Sequence, residues 1–156
     1  MYFISHRGNT VGVNEDCENT VDYIEHAIDL EYHVEIDLRE HNGSYYLGHD
    51  EPQYLVDPLW LFLNRKNLWI HAKDINSLVF CQEAEALRFF FHESERHTLI
   101  SNNLIWTHDL SEPTHLSIIP LISSKLSQEE MQKYTNISGI CSDFIDHYRS
   151  MKSWRC

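Results

Sequence analysis

The tightest constraint on this chain is a recurring unit, a short apolar run that ends on ionisable side chains and is followed by a polar or helical stretch. Tyr2-Phe3-Ile4-Ser5 stops at His6-Arg7-Gly8, Leu68-Trp69-Ile70 runs into His71-Ala72-Lys73, and Phe89-Phe90-Phe91 leads to His92-Glu93. Runs of this length without clear alternation read as strands buried on both faces, as in parallel sheets. Val34-Glu35-Ile36-Asp37-Leu38 does alternate, which puts three aliphatic side chains on one face and both carboxylates on the other. Asn42-Gly43 is a tight-turn signal, and the apolar run after it, Tyr45-Tyr46-Leu47, ends at Gly48-His49-Asp50. An imidazole thus arrives beside a carboxylate pair. Hard divalent cations want several oxygen ligands and an imidazole titrates near neutral pH, so the stretch offers a metal seat and a proton carrier.

Between the strands, helical spacing is legible. Val21, Ile24, Ala27 and Ile28 predict a helix over 20–31 capped by Asn19 or Thr20, and Asp57-Pro58 opens a short helix through Leu63. Ile75, Leu78, Val79 and Leu87 predict a third helix, over 74–87, with those residues as its apolar face. Short strands are expected at 98–101 and 104–106 around Asn102-Asn103, a further one at 116–121, a capping box at Ser127-x-x-Glu130, and a last buried strand at 139–144 before a polar helix or coil reaching Cys156. That gives roughly eight strands with helices between several of them, so the fold class is α/β, a compact or helix-depleted (β/α)8 TIM-type barrel with polar groups collected at the strand C-termini. Residues 1–156 form a single domain in this reading, short beside the about 250 residues such barrels usually take.

The formal charge of -12 argues against nucleic-acid backbones or anionic membrane surfaces as partners. No apolar run is long enough to span a bilayer, so no integral membrane segment is expected. Cys17, Cys81, Cys141 and Cys156 are scattered and read as reduced thiols, which with the absence of a leader-like opening predicts a cytoplasmic protein. Oligomeric state is left open by the sequence.

His6-Arg7-Gly8, Glu18-Asn19-Thr20, Glu35-x-Asp37, His49-Asp50 and the closing Gly139-Ile140-Cys141-Ser142-Asp143-Phe144, in that order, resemble the glycerophosphodiester phosphodiesterase family, part of the wider group that includes phosphatidylinositol-specific phospholipase C. The chain looks like a shortened member. The resemblance implies a metal-dependent phosphoric diester hydrolase acting on a small or lipid-derived glycerophosphodiester, through attack by the substrate's own neighbouring hydroxyl. It implies His6 and His49 as the acid–base pair, with His49 read as base and His6 as acid. Arg7 and Lys73 become phosphate contacts, and Glu35, Asp37 and His71 metal ligands. The ion implied is Mg²⁺ or Ca²⁺, with Mn²⁺ as an alternative. The family carries Glu-x-Lys where this chain has His71-Ala72-Lys73, and Glu18 or Glu93 stands as a substitute source of the missing oxygen; Glu18 equally suits a role buttressing Arg7. The alternative reading is a barrel that binds a phosphorylated ligand or partner without cleaving it.

Overall fold

The computed structural model describes residues 1–151; the end of the expected polar tail, including Cys156, lies outside the described residues. Ten strands share one sheet: β1 (Tyr2–His6), β2 (His33–His41), β3 (Ser44–Leu47), β4 (Tyr54–Val56), β5 (Leu68–Ala72), β6 (Phe89–Phe90), β7 (His97–Leu99), β8 (Ile105–Thr107), β9 (Ser117–Pro120) and β10 (Gly139–Ser142). Parallel pairing runs β6-β5-β2-β1-β10-β9-β8, while β3, β4 and β7 are antiparallel additions. The run is curled until its ends meet. Phe90 of β6 stacks on Trp106 of β8 at 4.4 Å between ring centroids, and the Ser101 backbone N–H donates to the Phe89 carbonyl at 2.9 Å. No ladder joins β6 to β8 among the described residues, so the eight-stranded closed barrel is replaced by a curled mixed sheet.

Helices are few and short: α1 (Val21–Asp29), α2 (Pro58–Asn64), α3 (Ile75–Glu83), α4 (Gln128–Met131) and α5 (Ile145–Arg149). No helix of the described residues is long and apolar enough to cross a membrane. In α1 the expected face packs on the sheet, with Ile24 and Ala27 buried and Val21 and Ile28 beside them. Thr20 is the N-cap residue but makes no capping bond, its hydroxyl donating instead to the Cys17 carbonyl at 2.7 Å. The 42–43 turn folds as expected: Asn42 (φ 51°) and Gly43 (φ 77°) are both left-handed, the two-residue geometry that suits a twisted hairpin, and His41 pairs with Ser44.

The face expected for α3 fails at two of its four positions: Leu78 is half-buried and Leu87 is buried, though beyond the helix end at Glu83. Ile75 and Val79 are 67% and 46% exposed, and Ser77 and Cys81 are the buried residues. The cap sets this phase. Asp74 accepts from the Ser77 backbone N–H at 2.8 Å and from the Glu40 N–H at 3.0 Å, so the helix start is tied to the end of β2 and position 77 is turned to the sheet. Asp74→Ala is expected to cost about 1–2 kcal/mol, measured by urea unfolding.

Alternation along the strands sorts the interior. Val34, Ile36, Leu38, Leu68 and Ile70 face outward into a core closed by α1 and α3, and Ile119, Leu121 and Ile140 meet α5 through Ile145 and Tyr148. The inward face carries a dry layer of Ile4, Trp69, Phe90, Trp106, Ile118 and Cys141. Each buried aliphatic here contributes about 1.5–3 kcal/mol relative to exposure. Below that layer Arg88 stacks its guanidinium over the Trp69 ring at 4.2 Å; above it, at the strand C-termini, lie the ionisable groups.

Candidate active site

The site is assembled where β1 and β5 end, over the middle of β2. Arg7 leaves β1 in the left-handed region (φ 54°), and Gly8 follows at φ 95°, where a Cβ would stand 2.6 Å from the Tyr23 ring. This turn brings Arg7 back over the sheet edge, its backbone N–H donating to the Glu35 carbonyl at 2.9 Å. Arg7 Nε lies 2.9 Å from Asp37 Oδ2, and its Nη1 donates to Glu18 at 3.1 Å. Of the two roles open to Glu18, buttressing Arg7 is the one observed. Glu18 also accepts from Asn9 at 2.6 Å.

Asn19, φ 59° and buried, holds Asp37 at two points: its Nδ2 donates to Asp37 Oδ2 at 3.0 Å and its Oδ1 accepts from the Asp37 backbone N–H at 3.1 Å. Losing both bonds leaves a buried N–H without a partner, so Asn19→Ala is expected to cost about 2 kcal/mol in a denaturant titration. His6 Nδ1 is 2.7 Å from Asp143 Oδ1, and the Asn9 amide donates to the same oxygen at 2.9 Å. His6 Nε2 then faces Glu35 Oε2 at 3.9 Å.

Glu35 and Asp37 are both buried, and their environments pull them apart. Burial and the neighbouring Asp37 charge push Glu35 up to about 7, against the opposing pull of His6, Arg7 and Lys73. Burial also works against the charged form of Asp37, but the His71 contact and the charges of Arg7 and Lys73 outweigh it and hold this carboxyl below its ordinary range. Burial disfavours charge on His6 as well; the Asp143 bond and Glu35 override it and raise its pKa. Glu35 Oε2 and Asp37 Oδ1 are buried without an aligned hydrogen-bond partner.

His71 Nδ1 stands 3.3 Å from Asp37 Oδ1 and 3.8 Å from Glu35 Oε1, and Lys73 Nζ is 3.8 Å from Asp37 Oδ1. The His71 ring lies flat against Phe90 (4.9 Å) and His92 (4.4 Å), which project side by side from β6 and just beyond it. Burial and the neighbouring imidazoles pull His92 down to about 4. His49 reaches the site from outside the parallel strands, on the loop after β3. Gly48 is required there, because a Cβ would fall 2.2 Å from the Glu51 carbonyl, and Arg39 donates to the Gly48 and His49 carbonyls. The His49 side chain is 42% exposed, with Nδ1 2.8 Å from Asp50 Oδ1.

His6, Arg7, Glu35, Asp37, His49 and His71 all line one cavity of about 220 Å³, walled also by His92, His108 and Pro120 and floored by Phe90 and Trp106. Lys73 sits beside it on Asp37. Glu93 is exposed and is not brought to the acids; it is His92, two residues beyond Phe90 on the same face, that reaches the wall. Sequence reasoning missed Asn9, His92 and His108 as site residues, offered Asn19 as one of two alternative caps, and weighed Asp143 both as a pocket-lining residue and as a strand-end hydrogen bonder. The inward alternation of Phe90 and His92 was a signal available for one of these.

Glu35, Asp37 and His71 offer donor atoms that all lie within 4.8 Å of one another, and the orphaned carboxylate oxygens suit a cation. Comparison with protein-family models, with curated proteins and with solved structures gives no match.

Proposed function

We propose that this protein is a metal-dependent phosphodiesterase of the glycerophosphodiester type, built on a shortened (β/α)-barrel plan. The observation that carries the reading is the convergence of two histidines, an arginine and two buried acids, each with one oxygen lacking an aligned hydrogen bond, on a single cavity at one end of the sheet. Glu35, Asp37 and His71 would hold a divalent ion, which when bound neutralises charge on the phosphoryl oxygens. Arg7, fixed by Glu18, and Lys73 supply positive charge to the same oxygens. His49, with Nδ1 held by Asp50, accepts the proton of the substrate's neighbouring hydroxyl. His6, whose raised pKa keeps it protonated to higher pH, donates a proton to the departing alkoxide oxygen. One P–O bond forms and one breaks, leaving a cyclic phosphate and a free alcohol. The free thiols of Cys17, Cys81 and Cys141 fit a cytoplasmic setting.

Incubation with glycerophosphocholine and glycerophosphoinositol, each with several divalent ions, followed by phosphorus NMR, tests this. Release of the alcohol with a metal requirement is expected; an unchanged spectrum for every pair would overturn it. A second reading, ligand binding without cleavage, is favoured by the pairing of both Arg7 and Lys73 with Asp37, which ties up the phosphate contacts and one acid. Calorimetric binding of glycerophosphate with no product would select it.

A further inference from the structure

We propose that the seat formed by Glu35, Asp37 and His71 takes a borderline transition ion, of the Zn²⁺ or Co²⁺ kind, in preference to Mg²⁺ or Ca²⁺. The inference rests on the phosphodiesterase reading for the seat itself and adds the class of ion.

This seat supplies two carboxylates, and the other acids nearby, Glu18 and Asp143, form a separate group with His6 that has metal-ligand spacing of its own. Glu18 is bonded to Arg7 and Asn9, Asp143 to His6 and Asn9, and Glu93 is exposed. Ca²⁺ takes about 6–8 oxygen ligands and Mg²⁺ a near-regular oxygen octahedron, whereas a set of one imidazole and two carboxylates suits borderline ions. Charge points the same way. Asp37 shares its negative charge with Arg7 at 2.9 Å and Lys73 at 3.8 Å, which weakens the electrostatic hold on a hard ion more than the bond to an imidazole nitrogen. The nitrogen is also aimed. His71 Nδ1 faces both carboxylates, and its ring plane is fixed by face contact with Phe90 and His92, 12° and 11° from parallel. Asn19 grips Asp37 Oδ2 and leaves the buried Oδ1 turned to the same space.

The test is calorimetric titration of the full chain with Zn²⁺, Co²⁺, Mn²⁺, Mg²⁺ and Ca²⁺. His97→Ala and Glu18→Gln proteins are run in parallel to remove the group of His97, Asp109 and Glu112 and the group of His6, Glu18 and Asp143, which also have metal-ligand spacing. Co²⁺ is expected to bind about a hundredfold more tightly than Mg²⁺, and His71→Glu to narrow that ratio by at least about tenfold. Pulsed EPR of the Mn²⁺-loaded wild-type protein should show coupling to one directly bound imidazole nitrogen, a result that stands even where the His71 variant fails to fold. Equal affinity for Mg²⁺ and Co²⁺, or no nitrogen coupling, overturns the ion assignment while leaving the phosphodiesterase reading in place. Binding of no ion at all removes the seat and both proposals together.

Discussion

Replacing His6 with alanine is expected to lower phosphodiester turnover about 10²–10⁴-fold, the range for loss of a positioned acid–base group. The effect is large because the imidazole is oriented as well as present. Asp143 holds Nδ1 at 2.7 Å, and Asn9 steadies Asp143 in turn, so Nε2 is directed into the cavity. The alanine variant also strips Asp143 of one bond, a loss of about 1–3 kcal/mol, and turnover is therefore read well below its melting temperature. His49→Ala should match the rate loss with almost no stability change, since that ring is 42% exposed on its loop. Unaltered turnover in both variants would end the acid–base assignment. Asp143→Asn gives a sharper readout. The bond to Asp143 raises the His6 pKa, so removing its charge should move the alkaline limb of the pH–rate profile to lower pH.

Glu35→Gln is expected to stabilise the metal-free protein at pH 8 by on the order of 3 kcal/mol and to do nothing below about pH 4.5. Glu35 ordinarily titrates at 4.5 and in the fold at about 7. Between those values the unfolded chain has released the proton that the native state still holds. Native stability therefore falls as pH rises through that window, and above it the whole cost of a buried, repelled carboxylate is in force. The amide has no such cost. Asp37 behaves oppositely: its folded pKa is depressed, so its contribution is complete above its ordinary value of 3.8 and drops out of the comparison. Urea unfolding at pH 5 and pH 8 measures the difference. A divalent ion that occupies the seat should close the gap from the wild-type side by binding only the native state. A variant no more stable than wild type at pH 8 would show that Glu35 is not held under strain.

Much of this architecture was legible because local signals and the sheet agreed. The 42–43 hairpin, the Asp57-Pro58 helix start and the Ser127/Glu130 capping box all form as their residues suggest. Where sequence reasoning failed, a distant group decided the matter. The phase of α3 is set by Asp74 reaching Glu40, which apolar spacing does not register. The strand β4 is only three residues on a sheet edge, too short for alternation to be counted. In the candidate site the titratable residues could be named from strand ends, since alternation alone places Glu35 and Asp37 together. Their supports could not. Asn19 and Asp143 meet their partners across 18 and 137 residues of chain, so their roles exist only once the sheet has curled.

The dry floor of Trp106 and Phe90 makes the cavity a one-sided vessel. Any charge lowered into it lies over apolar rings on that side, and about 220 Å³ has room for a phosphoryl group with a small polyol attached. On the phosphodiesterase reading, a larger alcohol would extend past the mouth, beside the His49 loop. Selection among head groups would then be a property of what surrounds that mouth, the His49 loop on one side and, past His92 and His108, the neighbouring cavity lined by Glu95, Arg96 and Asp109.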